Sequence, residues 1–139
     1  MPVLTQLLAG ALLTLAVTVT HGGGVAAVAH GLGLDRRCVK GGFHLRTVAT
    51  LSTVALLLLA LHLVEIGLFA LFYLTAGAFS TLEEALFVSA SAYSTLGQGE
   101  HVFPHQWRLL GALEGVVGFL MLGWSTAFFV TDMNKLLRE

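Results

Sequence analysis

Three long runs of apolar residues dominate the chain, and short polar segments separate them. The first run lies within residues 1–34, which contain no Asp, Glu, Lys or Arg. The second, residues 47–76, is interrupted only by His62 and Glu65, and the third occupies most of residues 108–135. An α-helix needs roughly 20 predominantly apolar residues to cross a bilayer. The pattern therefore predicts three transmembrane helices over these ranges.

The basic residues predict how these helices are oriented. The polar segment 35–46 holds four of the seven basic residues, Arg36, Arg37, Lys40 and Arg46. Short loops rich in Lys and Arg stay on the cytoplasmic side. The third apolar run is followed by Lys135 and Arg138. We therefore expect a cytoplasmic loop, a cytoplasmic C-terminus and an N-terminus outside, in an integral protein of a bacterial inner membrane.

A cleaved signal peptide is an alternative for the first apolar run. Residues 25–31, VAAVAHG, have small residues at the spacing of a cleavage site. A signal peptide begins with basic residues, and none precedes this run. We expect the run to remain as an additional N-terminal transmembrane helix.

Residues 77–108 have both ends on the outer face if this orientation is right. Their apolar middle, ALFVSASAY, is too short to cross a hydrocarbon core about 30 Å thick. A helix start is marked by Ser80 or Thr81 as N-cap and by Glu83 and Glu84 in the first turn. Non-helical backbone at membrane depth is tolerated only inside protein or around water. The sequence predicts a re-entrant helix and loop over residues 80–100.

This arrangement resembles the pore module of the potassium channel family. Residues 85–100, ALFVSASAYSTLGQGE, align without a gap to that family's pore helix and its Thr-Val-Gly-Tyr-Gly-Asp filter. The following VFPHQWR resembles the turn that leads into the inner helix. The resemblance covers roughly residues 47–138. It implies an all-α membrane protein in which residues 47–139 form the pore module, preceded by the additional helix and the basic loop.

The resemblance also implies a function and a set of site residues. Four copies of the chain would form a homotetramer that conducts potassium or another monovalent cation, with no other cofactor. The ion-binding filter would consist of Thr95, Leu96, Gly97, Gln98 and Gly99. Carbonyl oxygens of this segment replace the water shell of the ion. Gly97 and Gly99 permit the left-handed backbone that such a filter requires. Glu100 would form an acidic ring at the outer mouth.

Three departures from the family pattern affect the expected selectivity. Gln98 stands in place of the filter tyrosine, and Phe87 and Val88 stand where many members carry two tryptophans. Ser91 replaces a buried Glu that braces the filter in some members. A looser filter discriminates less sharply between potassium and sodium. A weakly selective cation channel and a non-conducting membrane scaffold or regulatory subunit therefore remain as alternatives.

His62 and Glu65 are three residues apart and share one face of the second predicted helix. Ionisable groups at membrane depth normally face a partner or a wet cavity. Proton sensing in gating and a structural pairing both fit this position. Two residues are too few for a metal site.

Glu114 and Gly118 are further gating candidates on the third predicted helix. Glu114 can brace the filter loop by accepting its N–H groups, face the pore, or pair with His62 or Glu65. Gly118 lies near the family's usual gating hinge. Gly111 and Gly115, four residues apart, fit close helix packing equally well.

Composition narrows the classes of function. Hydrophobic residues make up 56% of the chain and charged residues 11%, against about 25% charged in a typical soluble domain. The net charge of −1 and the absence of a basic cluster argue against nucleic acid as a partner. No Gly-x-Ser-x-Gly motif is present, so we expect no enzyme activity of the hydrolase type. The lone Cys38 is expected to be an inert thiol. Phe72 and Tyr73, together with Trp107 and Arg108, are expected to anchor the outer membrane interface.

Overall fold

The computed structural model describes residues 3–32, 45–97 and 103–137, and helices are the only regular secondary structure of this described part. Its four α-helices are α1 (Val3–Gly31), α2 (Leu45–Thr75), α3 (Leu82–Tyr93) and α4 (Arg108–Leu137). One turn of 3-10 helix, His105–Trp107, precedes α4. Most of the predicted basic loop, including Cys38, lies outside the described residues, as do Gln98, Gly99 and Glu100.

Three of the helices are long and apolar enough to cross a membrane. They contain the candidate spans Val3–Gly31, Thr47–Thr75 and His105–Asn134. Their outer surfaces carry large apolar side chains, and Leu12, Leu56 and Phe119 are 69%, 65% and 68% exposed. Such surfaces are costly in water and favourable in lipid. The prediction of three long apolar helices is confirmed, and they are compatible with an integral membrane protein.

The three long helices alternate in direction. Near the start of α1, Gly10 meets Leu110 and Leu113 near the start of α4. Near the end of α1, Val28 packs in one apolar cluster with Val54 of α2 and with Phe128 and Phe129 of α4. The helices α1 and α4 are therefore parallel, and α2 runs antiparallel to both.

The short helix α3 begins at a capped N-terminus. Thr81 has the extended conformation of an N-cap, and its hydroxyl accepts a hydrogen bond from the Glu84 N–H at 3.2 Å. The Glu84 carboxylate in turn accepts from the Ser80 N–H at 3.3 Å. These bonds satisfy backbone groups that a helix start leaves free. Thr81, and not Ser80, is the cap residue.

From this cap, α3 runs from one end of the bundle to its middle. Its 12 residues span about 18 Å at 1.5 Å per residue. The Tyr93 side chain at its end contacts Glu65, near the centre of α2. Phe79 before α3 and Phe103 beyond it pack against each other, with ring centroids 5.9 Å apart. The chain therefore leaves one end of the bundle and is back at that end by Phe103.

Two aromatic residues expected at the outer membrane interface are buried instead. Tyr73 is fully buried and Trp107 is 2% exposed. The Tyr73 hydroxyl donates to Glu114, and the Trp107 ring packs edge-on against Phe72 at 5.5 Å. The expectation was wrong because these rings have partners within the bundle, which an apolar sequence pattern does not reveal.

Glycines allow α4 to approach the end of α3 closely. A Cβ on Gly115 would lie 3.2 Å from the Ala92 carbonyl oxygen, and one on Gly118 would lie 2.7 Å from the Tyr93 carbonyl carbon. Helix α4 is continuous through Gly118. The geometry at Gly118 is that of close packing, and its role as a gating hinge stays a prediction.

The Gly118→Ala variant should therefore be destabilised. The added methyl group meets the backbone of Tyr93, and overpacking of this kind costs about 1–3 kcal/mol. Unfolding of the purified protein in mixed detergent micelles would measure the difference. Gly123→Ala is the matched control on the same helix, since its Cβ would meet nothing within 4 Å. Equal stability of the two variants would contradict the close contact.

Candidate functional site

The predicted filter starts directly where α3 ends. The Thr95 N–H donates to the Ala92 carbonyl at 2.9 Å, and the Gly97 N–H donates to the Ser91 carbonyl at 3.2 Å. Thr95, Leu96 and Gly97 are all exposed. The described residues of the segment are thus attached to α3 by backbone hydrogen bonds, and Thr95 and Gly97 line a pocket that Gly111 and Gly115 of α4 also line.

Among the described residues of this segment, Thr95 and Gly97 have left-handed backbone. Gly97 has a φ of 60°, the conformation expected there. Thr95 has a φ of 61°, which the sequence did not lead us to expect. Left-handed backbone is unfavourable for a β-branched residue and costs about 1–3 kcal/mol. Strain of this size is found most often at functional sites.

Glu114 joins three helices through its buried carboxylate. It is fully buried, and it accepts a hydrogen bond from the Tyr73 hydroxyl of α2 at 2.9 Å. The Ser89 hydroxyl of α3 lies 2.5 Å from its other oxygen and 2.9 Å from the Ile66 carbonyl of α2. We call Tyr73, Ser89 and Glu114 the Glu114 triad. Glu114 thus contacts the middle of the short helix.

A second buried group of polar side chains lies at the C-terminal end of α3. Glu65 is fully buried, and one of its oxygens lies 2.8 Å from His21 Nδ1 of α1. Its other oxygen accepts from the Tyr93 hydroxyl of α3 and lies 3.3 Å from His62 Nδ1. His62 Nδ1 is also 3.0 Å from the Tyr93 hydroxyl. We call His21, His62 and Glu65 the His–Glu cluster.

The structure brings some of the predicted site residues together and separates others. His62 and Glu65 share a cluster, and Tyr93 connects this cluster to the turn that carries Thr95. Glu114 belongs to the separate triad with Tyr73 and Ser89.

Sequence reasoning missed His21, Tyr93, Ser89 and Tyr73 as partners of the two glutamates. His21 is 44 residues from Glu65, and Tyr93 is 28 residues from it. The one indication in the sequence was the position of His21 inside an apolar span, where a polar side chain without a partner is costly. That signal marks His21 as a residue needing a partner, but it does not identify Glu65 as the partner.

No protein-family model matches the chain, and no curated protein or solved structure is significantly similar to it.

Replacement of Glu114 should distinguish hydrogen bonding from simple packing in the Glu114 triad. In Glu114→Gln the amide can still accept from Tyr73 and donate to Ser89, so we expect a small loss of stability. In Glu114→Leu the Tyr73 hydroxyl loses its acceptor, and a buried unsatisfied group costs about 1–3 kcal/mol. Unfolding in mixed micelles would measure both variants.

The control for this pair is Glu83→Gln, because Glu83 is exposed in the first turn of α3. Its stability should stay within about 0.5 kcal/mol of the wild-type value. A Leu variant as stable as the Gln variant would show that the triad's hydrogen bonds do not stabilise the fold.

Proposed function

We propose that the chain forms a homotetrameric channel that conducts monovalent cations, with potassium as the main ion. The observation that carries the proposal is the exposed, non-helical backbone of Thr95–Gly97, next to the centre of an apolar helical bundle. Such backbone is unstable in lipid unless protein covers it or ions and water occupy the space beside it.

Two contacts support a position of this segment deep in the bilayer. Tyr93 contacts His62 and Glu65, near the centre of α2, and Thr95 is only two residues further along. Phe103 is back beside Phe79 at the end of the bundle. In a bilayer, this path would form a re-entrant segment between α2 and α4, as the resemblance implies.

Several copies of the chain would cover the exposed surface of this segment. Leu96 is 80% exposed and Phe87 is 56% exposed in the single chain. One chain supplies one loop, so a closed pore needs copies arranged around an axis, and closed cyclic symmetry is the usual arrangement of such assemblies. Four copies are what the family resemblance implies.

In this tetramer the carbonyls of Thr95, Leu96, Gly97 and Gln98 would replace the water shell of the ion. Glu100 would concentrate cations at the outer mouth. The proposed orientation has the N-terminus outside and the C-terminus in the cytoplasm, because Lys and Arg are enriched in the loop between α1 and α2 and at the C-terminus.

Weaker selectivity among cations is the second candidate function. It is favoured by Gln98 in the place of the family's filter tyrosine and by the exposure of Phe87, where many members carry a tryptophan. Both features would reduce the packing around the proposed filter and therefore its discrimination between cations.

Ion flux from liposomes tests the proposal. Wild-type protein should release potassium down its gradient, and Gly97→Asp should abolish the flux because Gly97 has left-handed backbone within the proposed filter. Gly77→Asp is the matched control, since Gly77 also has a positive φ, of 68°, but lies in the turn after α2. Its flux should equal that of the wild type.

Reversal potentials under potassium and sodium gradients would distinguish the candidates. A large difference in reversal potential between the potassium and sodium gradients supports a potassium channel. A difference near zero supports the weakly selective channel. Equal leak from wild type and Gly97→Asp, or no flux from a folded tetramer, would refute conduction and favour the scaffold.

The oligomeric state can be measured independently of flux. Native mass spectrometry from detergent micelles should give a complex of four 14.7 kDa chains. Leu96→Asn changes an exposed side chain of the proposed subunit contact and should weaken the tetramer. Leu56→Asn, on an exposed position of α2, should leave its subunit number unchanged. A monomeric wild-type protein would contradict the proposed pore.

A further inference from the structure

The His–Glu cluster has the composition of a metal site as well as that of a hydrogen-bonded network. Its three residues each offer one ligand atom, and these atoms all lie within 4.8 Å of one another. His21 and Glu65 are fully buried, and His62 is 7% exposed. His62 and Glu65 of α2 are two of these residues, and His21 of α1 is the third.

We propose that the His–Glu cluster binds a divalent transition-metal ion of the zinc type, with Tyr93 as the fourth ligand. The ligands would be Nδ1 of His21, Nδ1 of His62, a carboxylate oxygen of Glu65 and the phenol oxygen of Tyr93. This site is separate from the proposed cation filter.

The distances between the donor atoms fit a tetrahedral ion. Ligands at about 2.0 Å from a tetrahedral zinc ion lie about 3.3 Å from one another. His62 Nδ1 is 3.3 Å from Glu65 Oε2 and 3.0 Å from the Tyr93 hydroxyl. His21 Nδ1 is 2.8 Å from Glu65 Oε1. The ligand atoms of His21, His62 and Glu65 all lie within 4.8 Å of one another, so side-chain movements without a change of fold would bring them to the spacing of a zinc site.

The ion would balance the charge of its ligands inside the apolar bundle. A buried carboxylate without a compensating charge is costly. If Tyr93 loses its proton on binding, the phenolate and the Glu65 carboxylate together neutralise a doubly charged ion. Metal binding of this kind releases protons and is coupled to folding.

The surroundings of His21 also resemble those of a metal ligand. Its second ring nitrogen, Nε2, lies 3.4 Å from the Ser125 hydroxyl of α4, and its ring lies 5.1 Å from the ring of Trp124. Metal-binding histidines usually have a hydrogen-bonding partner on the nitrogen that does not bind the metal. Ser125 can serve as this partner.

A cavity between α2 and α4 adjoins the site. It has a volume of about 290 Å³, and His62 and Ser125 are among its lining residues. The other lining residues are mostly apolar, as in the shells that exclude bulk water from metal sites.

The donor set selects the class of ion. Magnesium and calcium prefer oxygen ligands, whereas imidazole suits zinc, copper, iron and nickel. Two imidazole nitrogens with two oxygens therefore favour zinc or a similar transition metal. A bound ion would join α1, α2 and α3 just before the filter segment.

Titration of the full-length wild-type protein with cobalt tests the proposal directly. Protein in detergent, treated with a chelator and then freed of it, should bind one Co²⁺ per chain and show the visible absorption of a tetrahedral complex. Zn²⁺ should displace the cobalt and raise the midpoint of thermal unfolding, because a ligand that binds only the folded state stabilises it.

Variants of the ligands should remove this binding. His21→Asn, His62→Asn and Glu65→Gln should each weaken it by at least about 100-fold, since even the loss of an outer partner costs 10–100-fold. Ser125→Ala should weaken it by about 10-fold. His30→Asn is the matched control, because His30 is an exposed histidine of the same helix as His21, and it should bind as the wild type does.

The proposal is overturned if the wild-type protein binds no Co²⁺ with a tetrahedral spectrum, in which case the cluster is a hydrogen-bonded network only. It is also overturned if His21→Asn binds cobalt as tightly as His30→Asn does. The wild-type titration decides the matter even if a ligand variant fails to fold. Neither measurement depends on ion flux, so failure of the metal site and failure of the proposed channel are distinguishable.

Discussion

The structure depends on the pairing of two buried glutamates with partners from neighbouring helices. Glu65 and Glu114 are both fully buried. A buried polar group without a partner costs several kcal/mol in an apolar environment. Glu114 is paired with Tyr73 and Ser89, and Glu65 is paired with His21, His62 and Tyr93. The two carboxylates therefore contact the middle and the end of α3, and they fix this short helix against α2.

The position of α3 determines the position of the turn that follows it. Thr95 and Gly97 are hydrogen-bonded to the last turn of α3, and Gly118 allows α4 to lie against the Tyr93 backbone. A movement of α3 relative to either helix would therefore move the proposed filter segment. This link gives a physical reason for side chains as distant as His62 and Glu114 to affect conduction in the proposed channel.

The helix α1 is more than a peripheral helix of the bundle. His21 pairs with Glu65 of α2 and approaches Ser125 of α4, so α1 contributes a polar side chain to the centre of the bundle. Through Tyr93, this contact reaches the end of α3. With a bound metal ion, as proposed, α1 would have a direct part in holding the residues that precede the filter.

The sequence by itself determined the three long helices and the short helix between the second and third, and it narrowed the N-terminal cap of the short helix to Ser80 or Thr81. These features depend on local properties: the length of apolar runs, the spacing of charged residues, and the preference of Ser and Thr for an N-cap position. Gly97 was also placed correctly in left-handed backbone, because glycine adopts it without steric cost.

Only the tertiary structure decided the partners of the buried polar side chains. In an apolar helix, several faces are equally hydrophobic, so the pattern does not show which face meets which neighbour. The pairing of His21 with Glu65 and of Tyr73 with Glu114 joins residues more than 40 positions apart. Such contacts result from the packing of whole helices, and for this reason the burial of Tyr73 and Trp107 was not foreseen.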